Sequence, residues 1–135
     1  MNKEQLLELV NSLKLPKEEY YILSSGCLLL YGLREKAQDL DLCVSTELFE
    51  KMRIKFNIDL SSKNDCGFYQ LNNLIEVVVN NKKDFNRNFK DGYPVESLQS
   101  ILDYKINRNA PKDQADIVNI QNYLNNQAKQ IKKIY

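Results

Sequence analysis

The sequence predicts an α+β protein in which helices flank a small mixed or antiparallel sheet. Apolar residues recur at helical spacing near the start of the chain and again after residue 95. Between them, residues 20–79 hold short segments rich in β-branched and aromatic side chains, separated by polar turns. A chain of 135 residues fits one hydrophobic core, so residues 1–135 are predicted to form a single domain with its sheet core at 20–79.

The first predicted elements are a helix, a strand and a short buried helix. Four apolar side chains share one helical face, namely Leu6, Leu7, Val10 and Leu13. They predict a helix over residues 3–13, which Pro16 ends. Residues 20–24 are predicted to be a strand because they begin with Tyr-Tyr-Ile. A polar turn at 24–26 then leads into a short buried helix at 27–31.

The middle of the chain is predicted to hold further strands, at 39–45, 57–60, 68–71 and 74–79. Ser45 or Thr46 is expected to cap a helix that ends near residue 55. Asn72-Asn73 is predicted to form the hairpin turn between the last two strands, because asparagine tolerates positive φ.

The C-terminal part is predicted to be helical. Residues 82–92 show little periodicity and are predicted to be a mobile loop. The C-terminal helices are expected within 95–129, at 95–107 and 112–129. An Asn-Ala-Pro breaker at 109–111 separates them.

Composition narrows the functional classes. A formal net charge of +1 gives no global field that favours nucleic acid or a membrane surface. No apolar stretch approaches the roughly 18 residues that span a bilayer. Cys27, Cys43 and Cys66 show no CxxC spacing, which disfavours a disulfide framework or a zinc site, and histidine is absent. These features predict a reduced, cytoplasmic protein without a membrane partner.

A pair of aspartates interrupts the apolar strand at 39–45. Because side chains alternate along a strand, Asp39 and Asp41 emerge on the same face, about 7 Å apart at Cα. Such a pair can hold one Mg²⁺, or two with a bridging carboxylate, and Mg²⁺ is usually shared with substrate phosphates. The simpler alternative is a solvated strand edge that binds nothing.

A third carboxylate stands in another apolar strand. Glu76 interrupts the segment LIEVVVN, and a carboxylate there needs a partner or a shifted pKa. If this strand lies beside 39–45, Glu76 joins the aspartates in one cluster. The alternatives are a salt bridge from Glu76 to a nearby lysine, and Asp59 as a weaker rival for the third ligand.

The turn before the first buried helix offers a third component. Ser24 to Cys27 open that helix, whose free N–H groups and dipole favour an anion. Gly26 would allow the backbone to approach a phosphate closely. The alternative is an ordinary strand-to-helix turn.

Together these residues resemble the nucleotidyltransferase superfamily of the DNA polymerase β type. Its signature is a Gly-[Gly/Ser] turn, roughly ten residues, Asp-x-[Asp/Glu] on a strand and a carboxylate on a later strand. Here Gly26-Cys27 is followed by eleven residues and then Asp39-Leu40-Asp41. The segments LLLYGLRE and SLQSILDYKINRNAPKDQADIVNI also resemble small bacterial members. The likeness extends over about residues 20–124.

The resemblance implies an α+β nucleotidyltransferase-like fold and two Mg²⁺ ions delivered with a nucleoside triphosphate. Asp39, Asp41 and Glu76 would be the metal ligands and catalytic carboxylates, with Glu76 as base toward the acceptor hydroxyl. The chain departs from the family pattern in two places. Its turn is Ser-Gly-Cys rather than Gly-Gly or Gly-Ser, and its third carboxylate is a glutamate.

The resemblance also implies nucleotide-binding residues in two regions. The turn residues Ser25, Gly26 and Cys27 would cradle the triphosphate. Lys105 would reach the phosphates from a helix. Lesser basic candidates for the same role are Arg34, Arg108 and Lys112. For these basic residues a solvated helix face is the alternative.

The expected function is therefore Mg²⁺-dependent transfer of a nucleoside monophosphate from a nucleoside triphosphate to a hydroxyl of a small molecule, a protein or an RNA end. The alternative is a non-catalytic module of the same fold that binds a nucleotide or a protein partner, in a toxin–antitoxin or regulatory role. A homodimer or a small helical partner protein would fit either function. Nucleic acid is expected only as acceptor, although the basic tail QAKQIKKIY leaves RNA binding as a third alternative.

Overall fold

The computed structural model describes residues 1–134 and, within them, all side chains except those of residues 133 and 134. The chain divides into two compact units, Met1–Glu96 and Ser97–Tyr135. The helices of the first unit are α1 (Lys3–Ser12), α2 (Ser24–Leu30) and α3 (Thr46–Lys55). Its strands are β1 (Tyr20–Ile22), β2 (Leu40–Val44), β3 (Tyr69–Gln70), β4 (Ile75–Val79), β5 (Arg87–Lys90) and β6 (Tyr93–Glu96).

The strands form one six-stranded mixed sheet in the order β3-β4-β2-β1-β6-β5. β2 runs parallel to β4 and β1 runs parallel to β6, whereas the other neighbours are antiparallel. The prediction of an α+β fold with a mixed sheet is thus confirmed. The sheet places β2 between β1 and β4, so the strand with the aspartate pair lies near the middle.

The two faces of the central strands differ in chemistry. Leu40, Leu42 and Val44 of β2 are fully buried, and so is Val77 of β4. The side chains between them point to the opposite face because the side-chain period of a strand is two. That second face carries the carboxylates. The alternation therefore fixes the register, since a slip of one residue would move the aspartates into the core.

Helix ends follow the local sequence. Asn2 accepts from the Gln5 backbone and Gln5 accepts from the Asn2 backbone, which closes a capping box at the start of α1. Ser45 accepts from the Leu48 N–H and caps α3, one of the two caps predicted. These caps satisfy N–H groups that a helix cannot pair internally.

Residues 57–60 were predicted to be a strand, and the structure corrects this. Asp59 accepts hydrogen bonds from the Ser61 N–H at 2.9 Å and from its hydroxyl at 2.7 Å. These bonds hold a 3₁₀ turn, Leu60–Ser62. Short polar side chains that bond the nearby backbone compete with strand pairing, and here the local turn prevails.

Residues 82–92 are not the predicted loop, and the first residues of the predicted helix at 95–107 are a strand. β5 and β6 form a hairpin whose turn residues Asp91 and Gly92 have φ of 53° and 82°. Positive φ at both positions suits a tight hairpin turn, and Asp-Gly is a strong signal for it. The other predicted hairpin is confirmed, since β3 and β4 pair and Asn72 accepts from the Leu74 and Ile75 N–H groups.

The second unit contains the helices α4 (Leu98–Arg108) and α5 (Gln114–Ile134). Ser97 caps α4, and Asn109 ends it in the left-handed conformation with φ 51°. The predicted breaker at 109–111 thus lies where the chain leaves the helix. Within residues 1–134, no helix has the length and apolar character that a membrane crossing needs.

Candidate active site

Asp41 and Glu76 lie side by side. β2 and β4 are parallel neighbours, and Asp41 and Glu76 are direct Cα partners in their register. Partners on adjacent strands project from the same face. The condition set for Glu76, that its strand lies beside that of the aspartates, is thus met, whereas the three-carboxylate cluster itself stays a prediction.

The electrostatics of Asp41 show how closely the carboxylates interact. Burial first, and then the negative charges of Asp39 and Glu76, raise the pKa of Asp41 to about 6. The Asp41 Oδ1 atom is buried and has no hydrogen-bond partner within the described residues. A buried carboxylate oxygen without a partner, beside two further carboxylates, is costly unless a cation or a proton joins it.

The carboxylates do not form a closed metal cage. Among residues 1–134, no three Asp, Glu, Cys or His side chains converge in a way that could hold a metal ion. Mg²⁺ keeps several waters and is often bound by one or two carboxylates together with substrate phosphates. The orphaned Asp41 oxygen and the adjacent Glu76 therefore fit a cation shared with a phosphate ligand better than a resident structural metal.

The turn predicted at 24–26 is the first turn of α2, which begins at Ser24, and its N–H groups are partly occupied by the protein itself. The Ser24 N–H donates to Glu96 Oε1 at 3.0 Å, and the Gly26 N–H donates to the Leu23 carbonyl at 3.2 Å. The Leu23 N–H donates to the Asp41 carbonyl at 2.9 Å, which ties the turn to the carboxylate strand. A carboxylate of the chain thus takes one N–H that was expected to serve a phosphate.

Two of the predicted cradle residues are buried. Cys27 is fully buried, and its thiol donates to the Glu96 carbonyl at 3.3 Å. Gly26 is also buried, and a Cβ built on it would lie 2.6 Å from Ile22 Cγ2. The structure thus explains Gly26 by close packing rather than by approach to a phosphate. Ser25 is half-buried and is therefore the most accessible of the three predicted cradle residues.

Gly26→Ala is expected to destabilise the protein by about 1–3 kcal/mol, because the new methyl group would overlap the Ile22 side chain. Urea unfolding followed by circular dichroism measures the loss. Adding Ile22→Leu, which moves the branch away from Cβ, should recover part of it. Equal midpoints for Gly26→Ala and wild type would show that the contact carries no constraint.

The predicted basic ligands of the second unit already have acidic partners. Lys105 is 5% exposed, and its Nζ lies 3.3 Å from Asp113 Oδ1 and 3.2 Å from Asp116 Oδ2. Arg108 Nε donates to Asp113 Oδ2 at 2.8 Å and holds the pKa of Asp113 well below its usual range. Phosphate binding by Lys105 and Arg108 stays a prediction, and it would require them to exchange these partners.

The remaining candidates lie on the surface. Arg34 and Lys112 are exposed. Asp59, the rival third ligand, is exposed and is held in its own 3₁₀ turn, outside the sheet. Glu76, and not Asp59, is therefore the carboxylate that lies beside Asp41 in the sheet.

Sequence reasoning missed two polar side chains of this region. Glu96 lay inside a predicted helix, and its bond to the turn joins residues 72 apart in sequence. Gln70 is the direct Cα partner of Glu76 in the β3–β4 pair. The hairpin turn predicted at 72–73 pairs the strands on either side of it, so it could have placed Gln70 opposite Glu76. No local sequence pattern places Glu96 near the turn.

Comparison of the chain with protein-family models, with curated proteins and with solved structures finds no match. The likeness to nucleotidyltransferases therefore depends on the sequence motifs quoted above alone.

Proposed function

We propose that this protein is a Mg²⁺-dependent nucleotidyltransferase, with a nucleotidyltransferase-like fold, that transfers a nucleoside monophosphate from a nucleoside triphosphate to a hydroxyl group. One observation carries the proposal. Asp41 has a buried, unpartnered oxygen, lies directly beside Glu76, and interacts electrostatically with both Glu76 and Asp39. A fold keeps mutually repelling carboxylates of this kind mainly at functional sites.

Each carboxylate has a role in this reaction. Asp39 and Asp41, with Glu76, would hold Mg²⁺, which when bound neutralises charge on the phosphates and on the leaving pyrophosphate. The acceptor oxygen bonds to the α-phosphorus while the bond from that phosphorus to the pyrophosphate oxygen breaks. Glu76 takes the proton of the acceptor hydroxyl, and pyrophosphate leaves with the electron pair.

A second candidate is the non-catalytic module that binds a nucleotide or a protein partner. Two observations favour it. Within the described residues, no group of three or more Asp, Glu, Cys or His side chains is arranged to hold a metal ion. In addition, Glu96 accepts the Ser24 N–H that would otherwise meet a phosphate. A module of this kind would bind its ligand without Mg²⁺ and release no pyrophosphate.

Release of pyrophosphate distinguishes the two candidates. The protein is incubated with Mg²⁺ and each of the four nucleoside triphosphates, labelled at the γ-phosphate so that the label leaves with pyrophosphate. We expect pyrophosphate release with at least one of them, and a decrease of about 100-fold or more in Glu76→Gln, because that variant lacks the base. Glu50→Gln, which changes an exposed glutamate of α3, should keep the wild-type rate. Nucleotide binding without any release of pyrophosphate would favour the non-catalytic module.

A further inference from the structure

Three side chains form a row across three strands. Gln70 of β3 is the Cα partner of Glu76 of β4, and Glu76 is the Cα partner of Asp41 of β2. Partners on neighbouring strands project from one face, and adjacent strands are about 4.8 Å apart. Gln70 is thus the side chain next to Glu76 on the side away from Asp41, and it is exposed.

The two ends of this row differ. At the Asp41 end the sheet continues into β1, and the Leu23 N–H that follows β1 donates to the Asp41 carbonyl. At the other end, β3 consists of two residues and forms the edge of the sheet. The carboxylates are therefore bordered by β1 on one side and by a short edge strand on the other, where the Gln70 N–H donates to the Ser62 hydroxyl at 3.1 Å while Gln70 itself stays exposed.

In-line transfer gives the two ends different roles. The acceptor oxygen must approach the α-phosphorus from the side opposite to the departing pyrophosphate. With the donor phosphates on the Asp41 side of the row, pyrophosphate leaves on that side. The acceptor hydroxyl then arrives over Glu76 from the β3 edge, where it gives its proton to Glu76 and forms the new bond to phosphorus.

We infer that Gln70 is a specificity-determining residue whose exposed side chain binds the acceptor at the β3 edge of the sheet. The inference rests on the proposed function and adds the direction from which the acceptor enters. A glutamine amide both donates and accepts hydrogen bonds, so it can bind a hydroxyl group that acts as acceptor or as donor. Unlike a lysine it does not neutralise the adjacent base, and unlike an acid it adds no further repulsion.

The test uses glycerol as a small hydroxyl probe. An acceptor side that is open to solvent admits such an alcohol, and the product is a glycerol ester of the nucleoside monophosphate, separable by chromatography. Donor binding is measured separately, as the rise in unfolding temperature that Mg²⁺ and the nucleoside triphosphate cause together. The matched control is Asn88→Ala, which removes an exposed amide from β5, the opposite edge strand.

For Gln70→Ala we expect the glycerol concentration at half-maximal rate to rise about fivefold, the effect of one lost hydrogen bond. The maximal rate and the donor-induced rise in unfolding temperature should stay as in wild type, and Asn88→Ala should change neither. Equal glycerol dependence in Gln70→Ala and wild type would overturn the inference. So would a wild-type protein that binds Mg²⁺ and nucleotide yet forms no glycerol ester. Absence of donor binding in wild type would instead overturn the proposed function, and the inference with it.

Discussion

Asp41→Asn is expected to stabilise the metal-free protein by about 2 kcal/mol at neutral pH. Burial and the charges of Asp39 and Glu76 raise the pKa of Asp41 to about 6, which means that folding disfavours its ionised form. A shift of this size corresponds to about 3 kcal/mol, and partial exposure of the side chain reduces it. The amide keeps the shape of the carboxylate and removes the charge. Gains of this kind are common where a site is built for function rather than for stability.

The gain should depend on pH with a definite sign. Below the pKa of an unfolded aspartate, about 3.9, Asp41 is protonated in both states and the two proteins should be equally stable. As pH rises toward 6, the unfolded state ionises while the folded state resists, so wild type loses stability relative to the variant. Above that pH, the difference in unfolding free energy between the variant and wild type should no longer change with pH.

Urea unfolding at several pH values with a chelator present measures this difference. Asp65→Asn, at an exposed aspartate of a loop, is the control and should show no comparable gain. A variant Asp41→Asn that is less stable than wild type at neutral pH would mean that the carboxylate has a stabilising partner, contrary to its unpartnered oxygen.

Lys105→Met is expected to destabilise the second unit by about 3 kcal/mol or more. The Lys105 ammonium lies between Asp113 and Asp116, both buried, and methionine of similar length would leave these carboxylates without that cation. Breaking a buried ion pair costs more than the pair contributes, because the remaining charge stays in a medium of low polarity. Arg108 still neutralises Asp113, which limits the loss at that carboxylate.

Helix content in urea, followed by circular dichroism, reports this loss because α4 and α5 make up most of the described part of that unit. Lys112→Met replaces an exposed lysine close by and should change stability by less than about 0.5 kcal/mol. A similarly small effect of Lys105→Met, together with a loss of nucleotide binding, would instead support the role that family resemblance gives Lys105.

The central feature of the site could be predicted because it follows from a short-range rule. Alternation along 39–45 and 74–79 puts carboxylates on one face of each strand, and the buried residues between them fix that face. What the sequence left open was whether the strands are neighbours. The parallel pairing of β2 with β4, with Asp41 opposite Glu76, supplies that information.

Other parts escaped prediction for identifiable reasons. The prediction of a loop at 82–92 misses the β5–β6 hairpin because β5 is polar and shows little periodicity, although Asp91-Gly92 is a strong turn signal. The bond from the Ser24 N–H to Glu96 depends on the pairing of β1 with a strand far along the chain, so no local pattern shows it. The burial of Lys105 between acids likewise depends on how α4 packs with the segment that follows it.

The most direct test of the proposed function is thermal unfolding of wild type and Asp41→Asn with each nucleoside triphosphate, in the presence and absence of Mg²⁺. A ligand at about 100 times its Kd stabilises a fold by roughly 2.7 kcal/mol, which corresponds to several degrees. Because Asp41→Asn changes the starting stability, each protein is compared with its own ligand-free form. We expect a Mg²⁺-dependent rise for wild type with at least one nucleotide and none for Asp41→Asn. No rise with any nucleotide, or the same rise in both proteins, would contradict a metal-dependent nucleotide site at Asp41.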